Sequence, residues 1–447
     1  MHQYTDKGTL AGKLVRPDGT LAFVGGTVID GTGRAPLKDA VVLVKDGKVT
    51  AVGPRARTPV PRDPKTRTFD VTGKYLMPGL IDCHVHFTGD HIETMMENGK
   101  RVSAQPTQHR KYMEPLESAR VIRAAANANV VLAAGYTTVR NLGHGHPAHI
   151  AAVQDAIREG LLAGPDILSA GWAISQTGGH GKTAIWPYDL VEQIRPRSSF
   201  ADGVKGTAAH VEQNIREWGA ECIKIYTTEG IINAPDRLEG IPNFSVTEIS
   251  SITRTAHRHG RRVAAHSTAV EGTRNAVLGG IDTIEHGPHT MDEALIELMA
   301  KNGTVLVPTL SVFDFAARGK QDHVFPKWVG ERSKRWLEGR MQFVMAAKKS
   351  GVTIAGGSDS GSPPRGGNNA HEVELLVRAG MSPLEAITAC TLGGAKAIGR
   401  AEQIGSLQAG RRADMLVLAR DPLEDISVLV DQACIERIVQ PVPGSVG

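Results

Sequence analysis

Met77-Pro-Gly-Leu-Ile-Asp-Cys-His-Val-His-Phe87 is the stretch on which the reading of this chain turns. Its apolar run from Leu80 ends in two histidines, His84 and His86. Residues i and i+2 of a β-strand point to one side. Two imidazoles therefore project from one face at a strand end, where they can bind one metal ion. Pro78 and Gly79 sharpen the entry into that strand. On spacing alone the pair equally describes two surface histidines, so the chain around it has to decide.

Downstream, strand and helix alternate. Strands are expected at 80–86, 137–140, 166–170, 222–226, 262–266, 281–286, 304–308 and 352–356. Helical apolar spacing fills 118–134, 149–159, 208–218, 247–259, 271–278, 291–301 and 335–349, with Thr247 as an N-cap. Eight strands alternating with helices predict an α/β chain with a (β/α)8 TIM-type barrel over residues 78–399. Chemistry in such barrels sits at the C-terminal ends of the strands.

Residues 12–77 read as β, with Asp46-Gly47 as a hairpin turn. The far end reads the same way at 404–407, 413–418 and 435–439. Short strands need a partner sheet, so residues 1–77 and 400–447 are expected to form one small β-sandwich domain from both termini. Two separate terminal sheets are the alternative. Two connections exceed the usual length, residues 87–112 and 175–205, the latter containing Thr177-Gly-Gly-His-Gly181. They read as lids or substrate walls, or as surface decoration.

The 447 residues are enough for more than one domain and a large core. Hydrophobic residues make up 41% and charged residues 22%, an ordinary globular balance. A net charge of +4 and 4% aromatics argue against a nucleic-acid surface. The cysteines Cys83, Cys222, Cys390 and Cys434 form no CxxC pair or disulfide framework, which points to a reducing, cytoplasmic setting. No signal-peptide h-region and no membrane-spanning run is expected.

Candidate ligands fall at the strand ends. His84 and His86 close strand one, Lys224 lies on strand four, His266 ends strand five, His286 ends strand six, and Asp359 follows strand eight. Any one of them fits a structural role. Their shared topological position points to a metal site.

PGLIDCHVHF, CIKIY, VAAHS, TIEHG and GSD, in this order, resemble the amidohydrolase superfamily. HEVELLVRAGMSPLEAITACTLGGAKAIG and RADMLVL resemble its imidazolonepropionase-like branch, which includes Xaa-Pro and Xaa-Lys/Arg dipeptidases and ochratoxin-hydrolysing amidases. The resemblance runs from about residue 20 to 440 and is specific for superfamily but weak for substrate. It implies a dinuclear site: His84, His86 and Asp359 on the more buried metal, His266 and His286 on the second. Lys224 would bridge them as a CO2-derived carbamate, because an ammonium has no acceptor to offer. Zinc suits these ligands, with manganese, iron and cobalt also compatible. Water of lowered pKa would then attack an amide carbonyl, Asp359 would carry a proton to the leaving nitrogen, and Tyr226 would stabilise the oxyanion.

Substrate contacts are expected from His180, His144, Arg140 and Arg365, the two arginines as partners of a substrate carboxylate, and His289, just after His286, is expected to face the pocket as a catalytic residue. His144 and His146 repeat the HxH spacing in a glycine-separated loop. His257 and His259 sit at a helix end and read as structural. Arg140-Asn141 departs from the Arg-Asp that the family often carries. The expected activity is hydrolysis of an N-acyl amino acid or dipeptide, a small-molecule amide, with no nucleic-acid or membrane partner. The resemblance also implies a homo-oligomer. A single-metal cyclic amidase or deaminase, and a non-catalytic scaffold on the same fold, are the rival readings. Lys224 argues against the first, and the full ligand set against the second.

Overall fold

The computed structural model describes residue 10 and residues 12–88, 95–97, 100–102, 117–143, 145–181, 199–231, 240–318, 327–361 and 367–445. Strands from both ends of the chain build one sheet. They are β1 (Leu14–Val15), β2 (Thr20–Val28), β3 (Leu37–Lys45), β4 (Lys48–Pro54), β5 (Arg67–Asp70), β6 (Tyr75–Pro78), β16 (Met415–Leu418) and β17 (Ile435–Val439). Their order is β1-β17-β16-β6-β2-β3-β4, with β5 also paired to β2. The join between the two ends is the antiparallel pair β6–β16, where Met77 faces Leu416.

The strands expected to form one small β-sandwich domain from both termini follow a single hydrogen-bonded path. Pairing β6 edge to edge with β16 merges the ends into one sheet. Glycine makes this path possible at β2. Leu21–Val24 pair with β5, whereas Thr27 and Val28 pair with β6, and the register against β3 shifts around Gly26. Gly25 has φ +89, and a Cβ there would lie 2.5 Å from Thr72 Oγ1. Such a bulge lets a strand change partners. Leu21 and Phe23 of β2, Val42 and Val44 of β3, and Met415 and Val417 of β16 share one core.

The expected strand at 404–407 is a loop, because Gly405 takes a left-handed φ of +86 that extended backbone cannot supply. Within the 87–112 connection, Met95–Glu97 and Lys100–Val102 form an antiparallel pair, β8–β9.

The central chain is parallel. Strands β7 (Leu80–Val85), β10 (Tyr136–Asn141) and β11 (Asp166–Ser169) form one sheet, in the order β11-β10-β7. Strands β12 (Cys222–Tyr226), β13 (Arg262–Ser267), β14 (Thr283–His286) and β15 (Val305–Val307) form a second. Backbone bonds connect them at both margins. Ile174 N–H donates to Lys224 O (2.8 Å) and Tyr226 N–H to Ile174 O (3.1 Å). On the other side, Leu306 N–H donates to Thr353 O (2.9 Å) and Cys83 N–H to Gly356 O (3.0 Å). Asp359 N–H then donates to His84 O (2.8 Å), and His86 N–H to Ser360 O (2.7 Å). Residues 353–360 thus serve as the eighth segment of a closed parallel circuit.

That segment makes only isolated bridges, Leu306 with Ile354 and Val85 with Ser360. A regular strand was expected there. Asp359 at φ +56 and Gly361 at φ +105 break strand geometry at this point. A Cβ at Gly361 would collide with His86 O.

Helices α1 (Glu117–Ala133), α2 (Pro147–Arg158), α3 (Gly203–Arg216), α4 (Val246–Arg258), α5 (Val270–Leu278), α6 (Glu293–Asn302), α7 (Leu310–Ala317) and α8 (Lys327–Lys349) fall between the strands. Ile223, Ile225, Val263 and Ile284 join the core of helix residues such as Ile249 and Ile252. Strand alternation then turns Lys224 and Tyr226 the opposite way. Helix α4 is capped by Ser245 rather than Thr247, in a full capping box with Glu248. Among the described residues no helix is long and apolar enough to cross a membrane, and all four cysteines are free and buried.

Gly25→Ala tests the partner switch in β2. The left-handed φ and the contact with Thr72 set an expected loss of about 1–3 kcal/mol in urea unfolding. An unchanged midpoint would show that the bulge tolerates a Cβ.

Candidate metal centre

Four imidazoles crowd the C-terminal ends of the parallel segments. The rings of His84 and His86 are 5.2 Å apart, those of His84 and His286 5.0 Å, and those of His266 and His286 4.5 Å. The Asp359 carboxylate joins them, with Oδ1 3.0 Å from His86 Nε2 and 3.6 Å from His84 Nε2. His84, His286 and Asp359 offer ligand atoms all within 4.8 Å of one another. This tightest set draws on both halves of the expected two-metal division, with His86 attached to it through Asp359.

Three of the four rings are oriented by one ring nitrogen. His84 Nδ1–H donates to Glu285 Oε2 (2.8 Å). His86 Nδ1–H donates to the Gly143 carbonyl (3.2 Å). His286 Nδ1 lies 2.6 Å from Thr309 Oγ1. For His84 and His86 these bonds leave the Nε2 lone pair facing a carboxylate oxygen. At the 3.0 Å between His86 Nε2 and Asp359 Oδ1, two acceptors call for a cation or an extra proton between them. His266 Nε2 is buried with no hydrogen-bond partner among the described residues. Burial, with Lys224 as the next contributor, pushes His84 down to about 4. Burial also holds His266 and His286 well below the ordinary histidine value. Neutral imidazoles are the form that ligates metal. The donor set therefore fits divalent cations.

Beneath the candidate ligands lies a buried ion pair. Arg140 Nη2 donates to Glu285 Oε1 (2.7 Å), and both side chains are at most 1% exposed. Arg140 Nε donates to Cys83 O (2.7 Å) and Nη1 to Thr283 Oγ1 (3.1 Å), while the Thr283 hydroxyl donates to Glu285. Burial opposes a charge on Glu285, but Arg140 and His84 hold its carboxyl down at about 2. Arg140 was expected at a substrate carboxylate. Its guanidinium is occupied under the site instead. Asn141 Oδ1 accepts from Phe87 N–H (2.9 Å), tying the end of β10 to the end of β7.

The Asp359 loop is pinned by a second buried acid. Asp82 accepts from the N–H groups of His84 and Ser358 (both 3.0 Å), the Ser358 hydroxyl and Asn369 Nδ2 (2.7 Å). Among described non-glycine residues six have positive φ, and His286 (+72), Thr309 (+48) and Asp359 (+56) lie at this rim. Strain of this kind gathers where a site over-determines its backbone. Thr309 is held by Glu372, which accepts from the next two residues, Leu310 N–H (2.9 Å) and Ser311 N–H (2.7 Å).

Lys224 and Tyr226 are buried on one face of β12, with Lys224 Nζ 5.6 Å from the Tyr226 ring centre. His180 packs 4.1 Å from the His266 ring and 4.6 Å from Tyr226. A Cβ at Gly230 would come within 2.5 Å of His180 Cε1, so this glycine makes room for the ring. His289 lies apart, stacked on Trp336 at 4.4 Å, and burial lowers it to about 4. His146 caps α2. His257 and His259 bind Asp282 (2.8 Å), in the loop before β14, and Glu212 (3.0 Å), on helix α3. His144 and Arg365 lie outside the described residues.

Sequence reasoning missed Asp82, Glu285, Thr309, Asn369 and Glu372. Asp82 and Glu285 carried a signal: each is an acid inside an apolar strand, where a charge needs a partner. Thr309, Asn369 and Glu372 gave none, because they act through loop geometry.

Residues 75–439 match the amidohydrolase family. The chain belongs to the amidohydrolase family. This amidohydrolase is 32% identical to ochratoxinase from Aspergillus niger over 429 residues, covering 92% of this chain and 84% of that protein. It is 28% identical to imidazolonepropionase from Symbiobacterium thermophilum, covering 86% of each. A crystal structure of a Xaa-Pro dipeptidase with bound methionine in the active site superposes with a TM-score of 0.79 at 29% identity, over 94% of this chain and 98% of that one. The amidohydrolase is accordingly a hydrolytic enzyme acting on amide bonds.

Glu285→Gln keeps the shape of the buried acid and removes its charge. Leaving Arg140 unpaired should cost about 3–5 kcal/mol in urea unfolding. Loosening His84 should weaken metal binding about 10–100-fold in a chelator competition. Unchanged metal affinity would mean that Glu285 supports the fold alone.

Proposed function

We propose that this amidohydrolase is a dinuclear metal-dependent enzyme that cleaves the amide bond of an N-acyl amino acid or dipeptide. The convergence of four buried imidazoles and Asp359 around Lys224 is the observation that carries the reading. His84, His86 and Asp359 would hold one cation, and His266 and His286 the other. Zinc suits this donor set best. Divalent cations, when bound, lower the pKa of water and polarise the scissile carbonyl.

Lys224 is 1% exposed and within Coulombic reach of His84, His266, His286 and Asp359. As an ammonium it would repel cations held by those groups. As a carbamate it would attract such cations and supply two ligand oxygens.

The chain's own groups then divide the work. Asp359, 14% exposed, takes the proton from the attacking water and passes it to the leaving nitrogen. The Tyr226 hydroxyl donates to the carbonyl oxygen as charge develops there. His180, packed on both Tyr226 and His266, lines the acyl side. Residues 78–399 are taken as the catalytic unit, and the terminal sheet as its support.

The ochratoxinase relative favours an aromatic N-acyl amino acid, and the dipeptidase neighbour a peptide. The imidazolonepropionase relative favours a cyclic amide instead, a reading in which Lys224 has no role.

Purified enzyme supplemented with zinc should carry about two metals per chain by elemental analysis. It should release free amino acid from members of an N-acyl amino acid and dipeptide library. Lys224→Ala should lose activity and regain part of it with short carboxylates. Tyr226→Phe should lower kcat about 10²–10³-fold with metal content intact. About one metal per chain, or full activity in Lys224→Ala, would sink the dinuclear reading.

A further inference from the structure

Arg340 of helix α8 is fully buried, at 0% exposure. Its Nε donates to the Gly287 carbonyl (3.1 Å), one residue past His286. Nη1 and Nη2 have no hydrogen-bond partner among the described residues. The guanidinium lies 3.8 Å from the Phe313 ring centre and 5.0 Å from that of Trp336. Phe313 connects it to the site, meeting His286 edge-on at 5.9 Å. Arg340 therefore stands one aromatic layer from the metal centre, and burial pulls its pKa down to about 9.

A buried cation without a counter-ion is costly, and buried polar groups left open call for an explanation. This protein shows how it satisfies a buried arginine when the purpose is structural. Arg140 has Glu285, Thr283 and Cys83 O as partners. Among the described residues, Arg340 has one carbonyl and two aromatic faces. Cation–π contact offsets part of the desolvation but leaves the outer edge of the guanidinium, with its paired N–H donors, unmet. That edge matches a carboxylate in bidentate geometry.

We infer that Arg340 is the anchor for the carboxylate of the substrate's amino-acid portion. The inference rests on the amide-hydrolase reading and adds what holds the substrate's charged end. It moves that role away from Arg140, whose donors are occupied. The aromatic walls around Arg340 fix the guanidinium plane and exclude water, which strengthens its pairing with an anion.

The test compares N-acetyl-L-phenylalanine and N-acetyl-L-methionine, each as the free acid and as the C-terminal amide. Acetate release gives kcat and KM, and thermal shift gives binding, for zinc-loaded wild type, Arg340→Met and Arg340→Lys. In wild type the acids should bind and react better than the amides. Arg340→Met should raise KM for the acids at least about tenfold, the loss expected for a charge-assisted bond, with constants for the amides changed less than about twofold. Arg340→Lys, which keeps the charge and loses the fork, should fall between; if Arg340→Met does not fold, it carries the comparison alone.

Equal losses on acid and amide would make Arg340 a structural pillar and overturn the inference. So would a wild type that shows no preference for either acid in binding. A wild type that binds the acids through Arg340 yet cleaves none of the four compounds would keep the anchor and count against the hydrolase reading.

Discussion

The buried pair between Arg140 and Glu285 is the constraint on which the rest of the site depends. Glu285 uses one oxygen on Arg140 and the other on His84. A carboxylate this deep survives as a charge only because the guanidinium beside it, with His84, holds its proton affinity down. That charge fixes the His84 tautomer, so Nε2 rather than Nδ1 faces the rim. The orientation of this candidate ligand is thus set by strands β10 and β14 acting across the interior. The carboxylate–histidine arrangement is a familiar way to raise ligand basicity and lock a ring.

Backbone strain completes what the ion pair begins. His286, Thr309 and Asp359 all take left-handed φ values, which for β-branched Thr309 is a true outlier. Each is held by bonds from neighbouring segments. Glu372 grips the two N–H groups after Thr309, and Asp82 with Asn369 grips the loop around Ser358. The irregular eighth segment follows from the same demand. Regular strand geometry would pair more backbone but could not turn Asp359 back toward His84 and His86.

Much of this was legible in the chain. Period-two alternation in CIKIY put Lys224 and Tyr226 on one face and the isoleucines on the other. The strand–helix rhythm put His84, His266 and His286 at equivalent strand ends. What the sequence obscured was partnership. Arg140 and Glu285 lie 145 positions apart, and neither strand alone reveals that one charge neutralises the other, so Arg140 read as a substrate ligand. Arg340 drew no reading from the sequence, because burial of a helical arginine depends on what packs over it. Thr247 looked like a cap because the Ser245–Glu248 box was overlooked. The pairing of β6 with β16 was hidden for a related reason: short strands announce a sheet but not which edges meet.

The most direct measurement is an anomalous-diffraction map of zinc-loaded crystals. The expected result is two peaks at a typical two-metal separation of about 3.5–4 Å. One should contact His84, His86 and Asp359, the other His266 and His286, with density for a carboxylated Lys224 between them. A single peak bounded by His84, His286 and Asp359, with an unmodified Lys224, would contradict the dinuclear account.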